Sequence, residues 1–268
     1  MELTTVNDKK PWKDLIRGEM PPWVMRFVKT TGRAINRHQM ICDKDSVLLS
    51  VSGGKDSLAL ALALSVRRSW LPISYRIQAL MIDWEEHPIP QDALEALKEY
   101  FSALSIELEI VHERQYPASF KGEFNCYLCS RNRRRILFDY AEKHHIKLIA
   151  MGHHLDDLVE TSLLNLAGRG TFNTMLPVQE FFKGKLHIIR PMIEVHEYVT
   201  KRLSEVYDLP VVKPICPYDQ TNIRSRIKPI VRELCRLDRD AREHIYHAHA
   251  FSYRIPREIP VATDIELQ

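Results

Sequence analysis

Two consecutive glycines, Gly53 and Gly54, stand between a short apolar run at residues 46–51 and a run of strong helix formers at residues 58–64. This pattern predicts a buried strand, a tight turn and a helix. Such a turn exposes backbone N–H groups at the positive end of the helix dipole, and glycine lets an anion approach the backbone closely. A cation, two hydroxyls and a carboxylate flank the glycines and would suit phosphate and Mg²⁺: Lys55, Ser52, Ser57 and Asp56. The turn is therefore a candidate site for nucleotide phosphates, with Asp56 as the candidate for the metal.

The glycine turn also has a purely structural interpretation, as a strand-to-helix connection with a Ser or Asp cap. It lacks the spacing G-x-x-x-x-G-K-S/T of the usual P-loop, and it lacks G-x-G-x-x-G. The phosphate hypothesis therefore depends on the flanking polar residues rather than on the glycines alone.

A second candidate for chemistry is the pair Cys126 and Cys129, which opens a predicted helix at residues 130–143. Positions three apart lie on one helix face, so both sulfurs can reach one metal centre. A single pair of this spacing is also typical of a redox dithiol or of half a zinc site, and it occurs by chance. Cys216 lies in a proline-rich loop at residues 213–218, where a buried structural cysteine would be unusual. Three cysteines are therefore available for one sulfur-ligated centre.

Two kinds of metal centre fit such a set. Three thiolates on an iron–sulfur cluster would leave one iron open, and exogenous sulfide could bind there. A zinc ion would instead need a fourth ligand, for which His144, His145 and Asp219 are candidates. The other two cysteines, Cys42 and Cys235, lie in apolar, helix-like settings and are assigned to packing.

The composition limits the class of protein. A chain of 268 residues is long enough for one principal core. Lysine and arginine number 38 against 35 acidic residues, a net charge of +3 that permits nucleic-acid binding without requiring it. The N-terminal residues lack an apolar signal core, and no run approaches the about 20 apolar residues of a membrane span, so we expect a cytoplasmic protein. Five cysteines without a secretory signal disfavour a disulfide framework.

Strands alternate with helices along the chain. After the strand at residues 46–51, further strands are predicted at residues 75–82, 107–112 and 147–151, with a weaker one at 186–189. Further predicted helices lie at residues 23–40, 91–104, 194–207, 227–237 and 241–251. This alternation predicts an α/β fold with a parallel sheet, in which ligands bind at the carboxyl ends of the strands. Three more candidate ligand contacts follow predicted strands at that edge: Asp83, Gly152 and His153.

Asp156 and Asp157 begin the helix that follows the strand at residues 147–151. They could be an ordinary cap and a first-turn carboxylate that suits the helix dipole. Their position at a strand end favours catalysis, and so does the i,i+4 spacing of His153 and Asp157, which would let a carboxylate orient an imidazole. We predict that one of the two aspartates is catalytic, and the sequence does not distinguish them.

Arginines follow the cysteine pair directly. On a helix Arg131, Arg134 and Arg135 share one face, whereas Arg133, four residues after Cys129, would point toward a metal centre. A solvated basic face is the usual meaning of such a run, but its place beside a candidate catalytic centre favours phosphate contacts with RNA. A second basic set lies nearer the C-terminus: Lys183, Lys185, Arg224, Arg226 and Lys228.

Five motifs occur in a characteristic order: Ser-Gly-Gly-Lys-Asp-Ser, Cys-Tyr-Leu-Cys-Ser-Arg-Asn-Arg-Arg-Arg, Met-Gly-His-His-Leu-Asp-Asp-Leu-Val-Glu-Thr, Arg-Pro-Met-Ile and Pro-Ile-Cys. In these motifs the sequence resembles the tRNA 2-thiocytidine biosynthesis family, which consists of iron–sulfur PP-loop ATPases. The resemblance covers residues 23–254. It implies one PP-loop domain with helical additions at both ends, followed by a tail at residues 255–268. The lead-in at residues 1–22 is not covered by the resemblance; its prolines indicate loose order, and Trp12 can dock on the domain.

The resemblance implies a reaction as well as a fold. Members thiolate cytidine 32 of the tRNA anticodon loop with ATP, Mg²⁺ and a 4Fe-4S cluster, for which the ligands here would be Cys126, Cys129 and Cys216. The carbonyl oxygen would attack the α phosphate and release pyrophosphate, and sulfide would then displace AMP. Lys55 and Arg133 would assist, together with Asp156 or Asp157. A homodimer and a sulfur donor, either a cysteine desulfurase or free sulfide, belong to the same expectation.

The chain departs from the family in one place, since members often carry a further cysteine three residues after the third ligand, where this chain has Asp219. Two other functions remain open from the residues themselves. A PP-loop ligase that adds an amine to an activated carbonyl, as lysidine-forming relatives do, would not need three cysteines. A zinc-stabilised nucleotide-binding or RNA-binding module would show no turnover.

Overall fold

The computed structural model describes residues 10–116, 120, 126–212 and 224–249. Its strands are β1 Ser46–Val51, β2 Arg76–Trp84, β3 Glu107–Glu113, β4 Leu148–Ala150, β5 Val178–Phe181 and β6 Leu186–Ile189. They form one sheet in the order β3-β2-β1-β4-β6-β5, in which all neighbouring pairs are parallel except β5 with β6. The predicted α/β fold is confirmed, and the antiparallel edge strand β5 was not predicted.

The helices of the described part of the chain surround this sheet. They are α1 Trp12–Ile16, α2 Pro22–Arg37, α3 Lys55–Trp70, α4 Gln91–Ala103, α5 Cys126–Lys143, α6 Leu155–Arg169, α7 Glu197–Val206, α8 Arg224–Leu237 and α9 Ala241–Ala248. Among the residues described, no helix is both long enough and apolar enough to cross a lipid bilayer.

Helix α1 lies in the segment that was predicted to be a loosely ordered lead-in. Trp12 and Leu15 are buried, and the ring of Trp12 meets the ring of Tyr100 edge to face, with centroids 5.1 Å apart. Such an aromatic pair adds to the burial of apolar surface. The expectation of loose order was therefore wrong for this helix, whereas the docking of Trp12 is confirmed. Residues 1–9 and the predicted tail at residues 255–268 lie outside the described residues.

Both faces of the sheet are covered by helices. Val47 and Leu49 of β1 join the core under α2, α3 and α4, whereas Leu48 joins the core under α5. Because successive strand residues point to opposite faces, a strand buried on both sides is almost continuously apolar. Residues 57–64 of α3 are all buried, which fixes the start of this helix, and with it the glycine turn, against the core.

The carboxyl ends of the parallel strands lie at one edge of the sheet. Ser52 and Arg190 directly follow β1 and β6, and Gly152 is the second residue after β4. Asp83 is the penultimate residue of β2. The fold therefore gathers residues from separate sequence motifs at a single edge.

Candidate active site

Gly53 and Gly54 form the predicted turn between β1 and α3. Gly53 has a φ of +77°, and a Cβ at this position would lie 3.0 Å from the Cβ of Val212, so only glycine fits without strain. Gly54 is the N-cap residue of α3, and its carbonyl accepts a hydrogen bond from Oγ of Ser57 at 2.9 Å. The first N–H groups of α3 are thus presented at the carboxyl edge of the sheet, as an anion site requires.

Gly152 lets the loop after β4 approach the first turn of α3. A Cβ on Gly152 would lie 3.0 Å from the carbonyl carbon of Asp56 and 3.1 Å from the backbone nitrogen of Ser57. A side chain there would push the start of α6 away from the glycine turn. The two predicted motifs are therefore in direct backbone contact.

The Lys55 ammonium lies in a cluster of charges. Its Nζ is 2.8 Å from Oδ2 of Asp56 and 3.3 Å from Oε1 of Glu197, the first residue of α7. The other Asp56 oxygen accepts a hydrogen bond from Oγ1 of Thr200 at 2.6 Å. Burial lowers the pKa of Lys55, but the charges of Asp56 and Glu197 outweigh burial, and the pKa is raised above its ordinary value. The cluster therefore keeps a cation beside the glycine turn.

Lys228, which the sequence pattern places with the RNA-binding set, belongs to the same cluster. Its Nζ donates to Oε1 and Oε2 of Glu197 at 3.0 and 3.2 Å and lies 4.0 Å from Oε1 of Glu160. Burial raises the pKa of Glu197, but hydrogen bonds from Lys228 and the charge of Lys55 prevail and lower it to about 2. Glu197 is therefore an ionised carboxylate shared by two lysines.

Two adjoining cavities open at this edge. The Asp157 cavity, of about 440 Å³, is lined by Asp56, Ser57, Arg134, Gly152, His153, Asp157, Gln179 and Arg190, among others. The Cys129 cavity is lined by Val51, Asp83, Trp84, Gln115, Cys129 and Val212, among others. Ser50, Ser52 and Arg133 line both. The larger cavity falls within the range of about 300–1,000 Å³ that is usual for small-molecule sites. Asp56 and Ser57, next to the glycine turn, and Cys129 therefore line neighbouring cavities, with Arg133 common to both.

The cysteine pair lies at the start of α5. Cys126 is its first residue and is exposed, and Cys129, one turn later, is half-buried with its Sγ 3.2 Å from Nε2 of Gln115. His144 and His145 follow the other end of α5, about 25 Å along the helix axis, so they cannot complete a zinc site with these sulfurs. The predicted third ligand, Cys216, and the alternative ligand Asp219 lie outside the described residues.

Asp156 and Asp157 share the first turn of α6 but have different surroundings. Asp156 is buried, and its carboxylate accepts Nε of Arg242 at 2.5 Å and the backbone N–H of Glu197 at 2.7 Å. Asp157 lines the Asp157 cavity and forms a capping box, in which the backbone N–H of His154 donates to its Oδ2 at 3.0 Å. The structure therefore separates an aspartate that joins α6 to α7 and α9 from one that faces the cavity.

Residues 27–228 match the family model of the PP-loop domain. The tRNA-cytidine(32) 2-sulfurtransferase 1 of Francisella tularensis subsp. tularensis (strain WY96-3418) is 34% identical over 215 residues, which are 78% of this chain and 76% of that protein. The chain belongs to the PP-loop family of tRNA-cytidine(32) 2-sulfurtransferases. The family predicted from the sequence is thus confirmed.

One further relative and one solved structure are similar to this chain. The tRNA-cytidine(32) 2-sulfurtransferase of Janthinobacterium sp. (strain Marseille) is 35% identical over 213 residues, which are 78% of this chain and 66% of that protein. The structure of the U34-tRNA thiolase NcsA from Methanococcus maripaludis with its 4Fe-4S cluster matches with a TM-score of 0.68 at 23% identity, covering 85% of this chain and 78% of that one. The second likeness shows a shared fold.

In this member of the PP-loop family, a buried arginine orients His153. Nε of Arg190 lies 3.3 Å from Nδ1 of His153, and the same guanidinium donates to the Leu176 carbonyl at 2.5 Å and to Oε1 of Gln179 at 3.1 Å. Burial and the charge of Arg134 lower the pKa of Arg190 to about 10, so Arg190 is still a cation at neutral pH. Because arginine only donates, Nδ1 of His153 is the acceptor, which leaves the proton of a neutral ring on Nε2.

Asp83 is buried in the wall of the Cys129 cavity. One carboxylate oxygen accepts the backbone N–H of Ile89 at 2.9 Å, and the other lies 3.2 Å from Nδ1 of His112. Asp83 therefore fixes the loop after β2 and shapes the cavity that it lines.

The basic residues predicted to bind RNA are spread over three places. Arg131, Arg134 and Arg135 are exposed near the start of α5, where Arg135 pairs with Asp139 at 2.9 Å and Arg134 reaches the Asp157 cavity. Arg133 instead lies over the ring of Trp84, 5.8 Å from its centroid. Arg224 begins α8 and Arg226 is exposed on it. Lys183 and Lys185 lie in the turn between β5 and β6, at the sheet edge opposite the glycine turn.

The prediction from sequence missed four residues of the site: Glu197, Thr200, Gln115 and Arg190. Arg190 had a usable signal, because it directly follows a predicted strand whose carboxyl end belongs to the ligand-binding edge. Glu197 and Thr200 had none, since their contacts depend on how α7 packs against α3.

Proposed function

We propose that this protein uses ATP to replace the C2 oxygen of a cytidine in tRNA, at position 32 of the anticodon loop, with sulfur. One observation carries the proposal: the cavity lined by Asp56 and Ser57, beside the glycine turn, adjoins the cavity lined by Cys129, and the two have Ser50, Ser52 and Arg133 in common. An activated base and a sulfur-bearing centre must come this close for sulfur to replace oxygen. The relatives in Francisella and Janthinobacterium are named for this reaction.

The first half of the reaction makes the carbonyl oxygen a leaving group. The C2 oxygen of cytidine attacks the α phosphorus of ATP, the bond to the β phosphate oxygen breaks, and pyrophosphate departs. Negative charge grows on the leaving pyrophosphate and needs hydrogen-bond donors and a cation to stabilise it. The stabilising groups are the backbone N–H groups after Gly53 and Gly54, the hydroxyls of Ser52 and Ser57, and the Lys55 ammonium. Asp56 is the carboxylate that would hold Mg²⁺ against the phosphates.

Asp157, rather than Asp156, is the proposed catalytic carboxylate. Asp157 faces the cavity that contains the phosphate turn, whereas both oxygens of Asp156 are engaged by Arg242 and the start of α7. Asp157 can accept a hydrogen bond from the cytosine amine and so fix the base for attack. Nε2–H of His153 and the Arg133 guanidinium can donate to the activated oxygen as charge develops.

The sulfur half of the reaction belongs to the Cys129 cavity. Cys126 and Cys129 stand one helical turn apart on α5, which suits two thiolate ligands of one centre, and the proposed third ligand is Cys216. A 4Fe-4S cluster bound there would supply the sulfur that replaces the adenylated oxygen, with AMP as the leaving group. Arg133, between the two cavities, is the residue that can contact both the nucleotide and the incoming sulfur.

Further parts of the proposal rest on the family and on the charges of the surface. Arg131, Arg134 and Arg135, with Arg226 and Arg224 of α8, would contact tRNA phosphates. We also propose that the sulfur donor is a cysteine desulfurase or free sulfide. The reaction would take place in the cytoplasm, and the protein would act as a homodimer.

The reaction can be tested directly. Anaerobically purified protein is incubated with ATP, MgCl₂, sulfide and unmodified tRNA, and pyrophosphate and tRNA nucleosides are measured by a coupled assay and mass spectrometry. We expect 2-thiocytidine and one pyrophosphate per thiolated base. An aminated base without thiolation would identify an amine ligase instead, and the absence of both pyrophosphate and thionucleoside would favour a binding module.

A further inference from the structure

Lys228 shares one carboxylate with the lysine of the glycine turn. Oε1 of Glu197 lies 3.3 Å from Nζ of Lys55 and 3.0 Å from Nζ of Lys228, so the two ammonium groups stand side by side. We propose that Lys228 is a second polyphosphate-binding lysine, which contacts the β and γ phosphates of ATP and the departing pyrophosphate together with Lys55. The inference rests on the proposed function, since it assigns a further residue to the same ATP site.

The carboxylate that holds the two lysines is itself fixed. The backbone N–H of Glu197 donates to Asp156 at 2.7 Å, and its carbonyl accepts a hydrogen bond from Oγ1 of Thr200 at 3.0 Å. Thr200 also donates to Asp56, so the start of α7 is bound to the first turn of α3. Lys228, on α8, is therefore directed at the phosphate end of the site by a framework that includes the glycine turn.

The charges of this cluster call for a second cation. The Lys55 ammonium already lies 2.8 Å from the Asp56 carboxylate, which offsets its charge before any nucleotide binds. Pyrophosphate carries several negative charges, and a single offset lysine is a weak counter-charge for it. A lysine ammonium has three donors, so the contacts of Lys228 with Glu197 leave room for a phosphate oxygen as a further partner. Lys228 thus adds a second ammonium donor beside Lys55, and the two lysines share the single charge of Glu197.

The alternative role, contact with RNA, fits the neighbouring residue better. Arg226, two positions earlier on α8, is exposed, whereas Lys228 is partly buried against Glu197 and near Glu160. The two basic residues are therefore directed to different surroundings, Arg226 to solvent and Lys228 to the carboxylate that also contacts Lys55.

Equilibrium binding of pyrophosphate and of AMP, measured by calorimetry with MgCl₂ present, tests the assignment. Lys228→Ala should weaken pyrophosphate binding at least about 10-fold, the loss expected when one charge-assisted hydrogen bond is removed. AMP has no β phosphate, so its affinity should not change. Lys228→Met, which keeps an apolar stem, should behave like Lys228→Ala and guards against a folding defect in α8. The matched control is Lys201→Ala, because Lys201 is exposed on α7 and contacts only the equally exposed Glu205 among the described ion pairs.

A second background separates direct binding from an effect through Glu197. If Lys228 contacts the phosphates, Lys228→Ala should weaken pyrophosphate binding in the Glu197→Gln protein as well. Loss of the effect in that background, or equal affinities of wild type and Lys228→Ala, would overturn the inference and leave the proposed function standing. Failure of the wild-type protein to bind either ATP or pyrophosphate would instead contradict the proposed function itself.

Discussion

Asp156 and Arg242 form an ion pair, with Nε of the arginine 2.5 Å from the carboxylate, and this pair joins the start of α6 to α9. The neighbouring Asp157 points into the cavity beside the glycine turn. The first turn of α6 therefore carries two aspartates with different surroundings: Asp156 joins α6 to α7 and α9, and Asp157 lines the cavity.

Substitution of the two aspartates should separate stability from activity. Asp157→Asn should lower thiolation by about 100-fold or more, the usual scale for a positioned catalytic carboxylate, with little change in Tm. Asp156→Ala should lower the free energy of unfolding by about 2–3 kcal/mol, somewhat below the ~3–5 kcal/mol of a fully buried pair, because Arg242 is partly exposed. Thermal unfolding and single-turnover thiolation measure the two effects. A stable, inactive Asp156 variant beside an active Asp157 variant would reverse the assignment.

Lys55→Ala should abolish most ATP-dependent turnover while the metal content stays the same. Removal of one preorganised donor from the developing charge costs about 100- to 1,000-fold in rate. The measurements are pyrophosphate release and iron content of the same preparation. Lys201→Ala, on the exposed face of α7, serves as the control and should retain full turnover. Unchanged pyrophosphate release in the Lys55 variant would remove this lysine from the phosphate site.

The five cysteines should fall into two classes. Protein purified without oxygen should be brown, and Cys126→Ala, Cys129→Ala and Cys216→Ala should each lose colour, iron and thiolation. Cys42→Ala and Cys235→Ala should keep all three, since Cys235 packs among apolar residues and contacts Arg242. Iron and zinc are measured by elemental analysis. Zinc in place of iron in the wild type would contradict the cluster assignment.

The sequence predicted most of the fold because its signals are local. The β-branched runs of β1 and β2 are buried on the sheet, that of β3 is partly buried, and all three stand out from the helix formers between them. Strand β5 was not predicted because two of the four residues in Val178–Phe181 are polar, and its pairing depends on the neighbouring β6. Helix α1 was not predicted because five residues are too few to show a helical periodicity. The helix is held in place by contacts of Trp12 and Leu15 with the core.

The site was predictable where a motif defines its own geometry, and not where helices meet. Gly53 predicts a turn from its residue type alone. Whether Asp156 or Asp157 faces the ligand depends instead on the position of Arg242 in α9. Lys228 resembles Arg226 in sequence, and only the packing of α8 near Glu197 distinguishes the two side chains. Contacts between segments that are distant in the sequence produce no periodic residue pattern, so the sequence alone does not predict them.

The shared carboxylate should make stability depend on pH. The pKa of Glu197 is lowered from 4.5 to about 2 in the folded protein, so its contribution is fully present above about pH 4.5 and is lost as pH falls toward 2. Because the side chain is partly exposed, the contribution is about 2 kcal/mol at most. Urea unfolding of wild type and Glu197→Gln should therefore differ near neutral pH and converge as the pH is lowered through about 4. A constant difference over this range would contradict the assignment of the lowered pKa to Glu197.

The arginines at the start of α5 should differ in their effect on tRNA binding. Arg131 is exposed, so Arg131→Ala should weaken binding and reduce the slope of log affinity against log salt by about 0.7–0.9, the release of one counterion. Arg135→Ala should do less, because Arg135 is held by Asp139 at 2.9 Å and by Asn132 at 3.1 Å and must leave these partners to reach a phosphate. Filter binding of unmodified tRNA across a salt series measures both slopes, with Lys185→Ala, at the far edge of the sheet, as the comparison. If all three variants kept the wild-type slope, the tRNA would have to bind on another face of the protein.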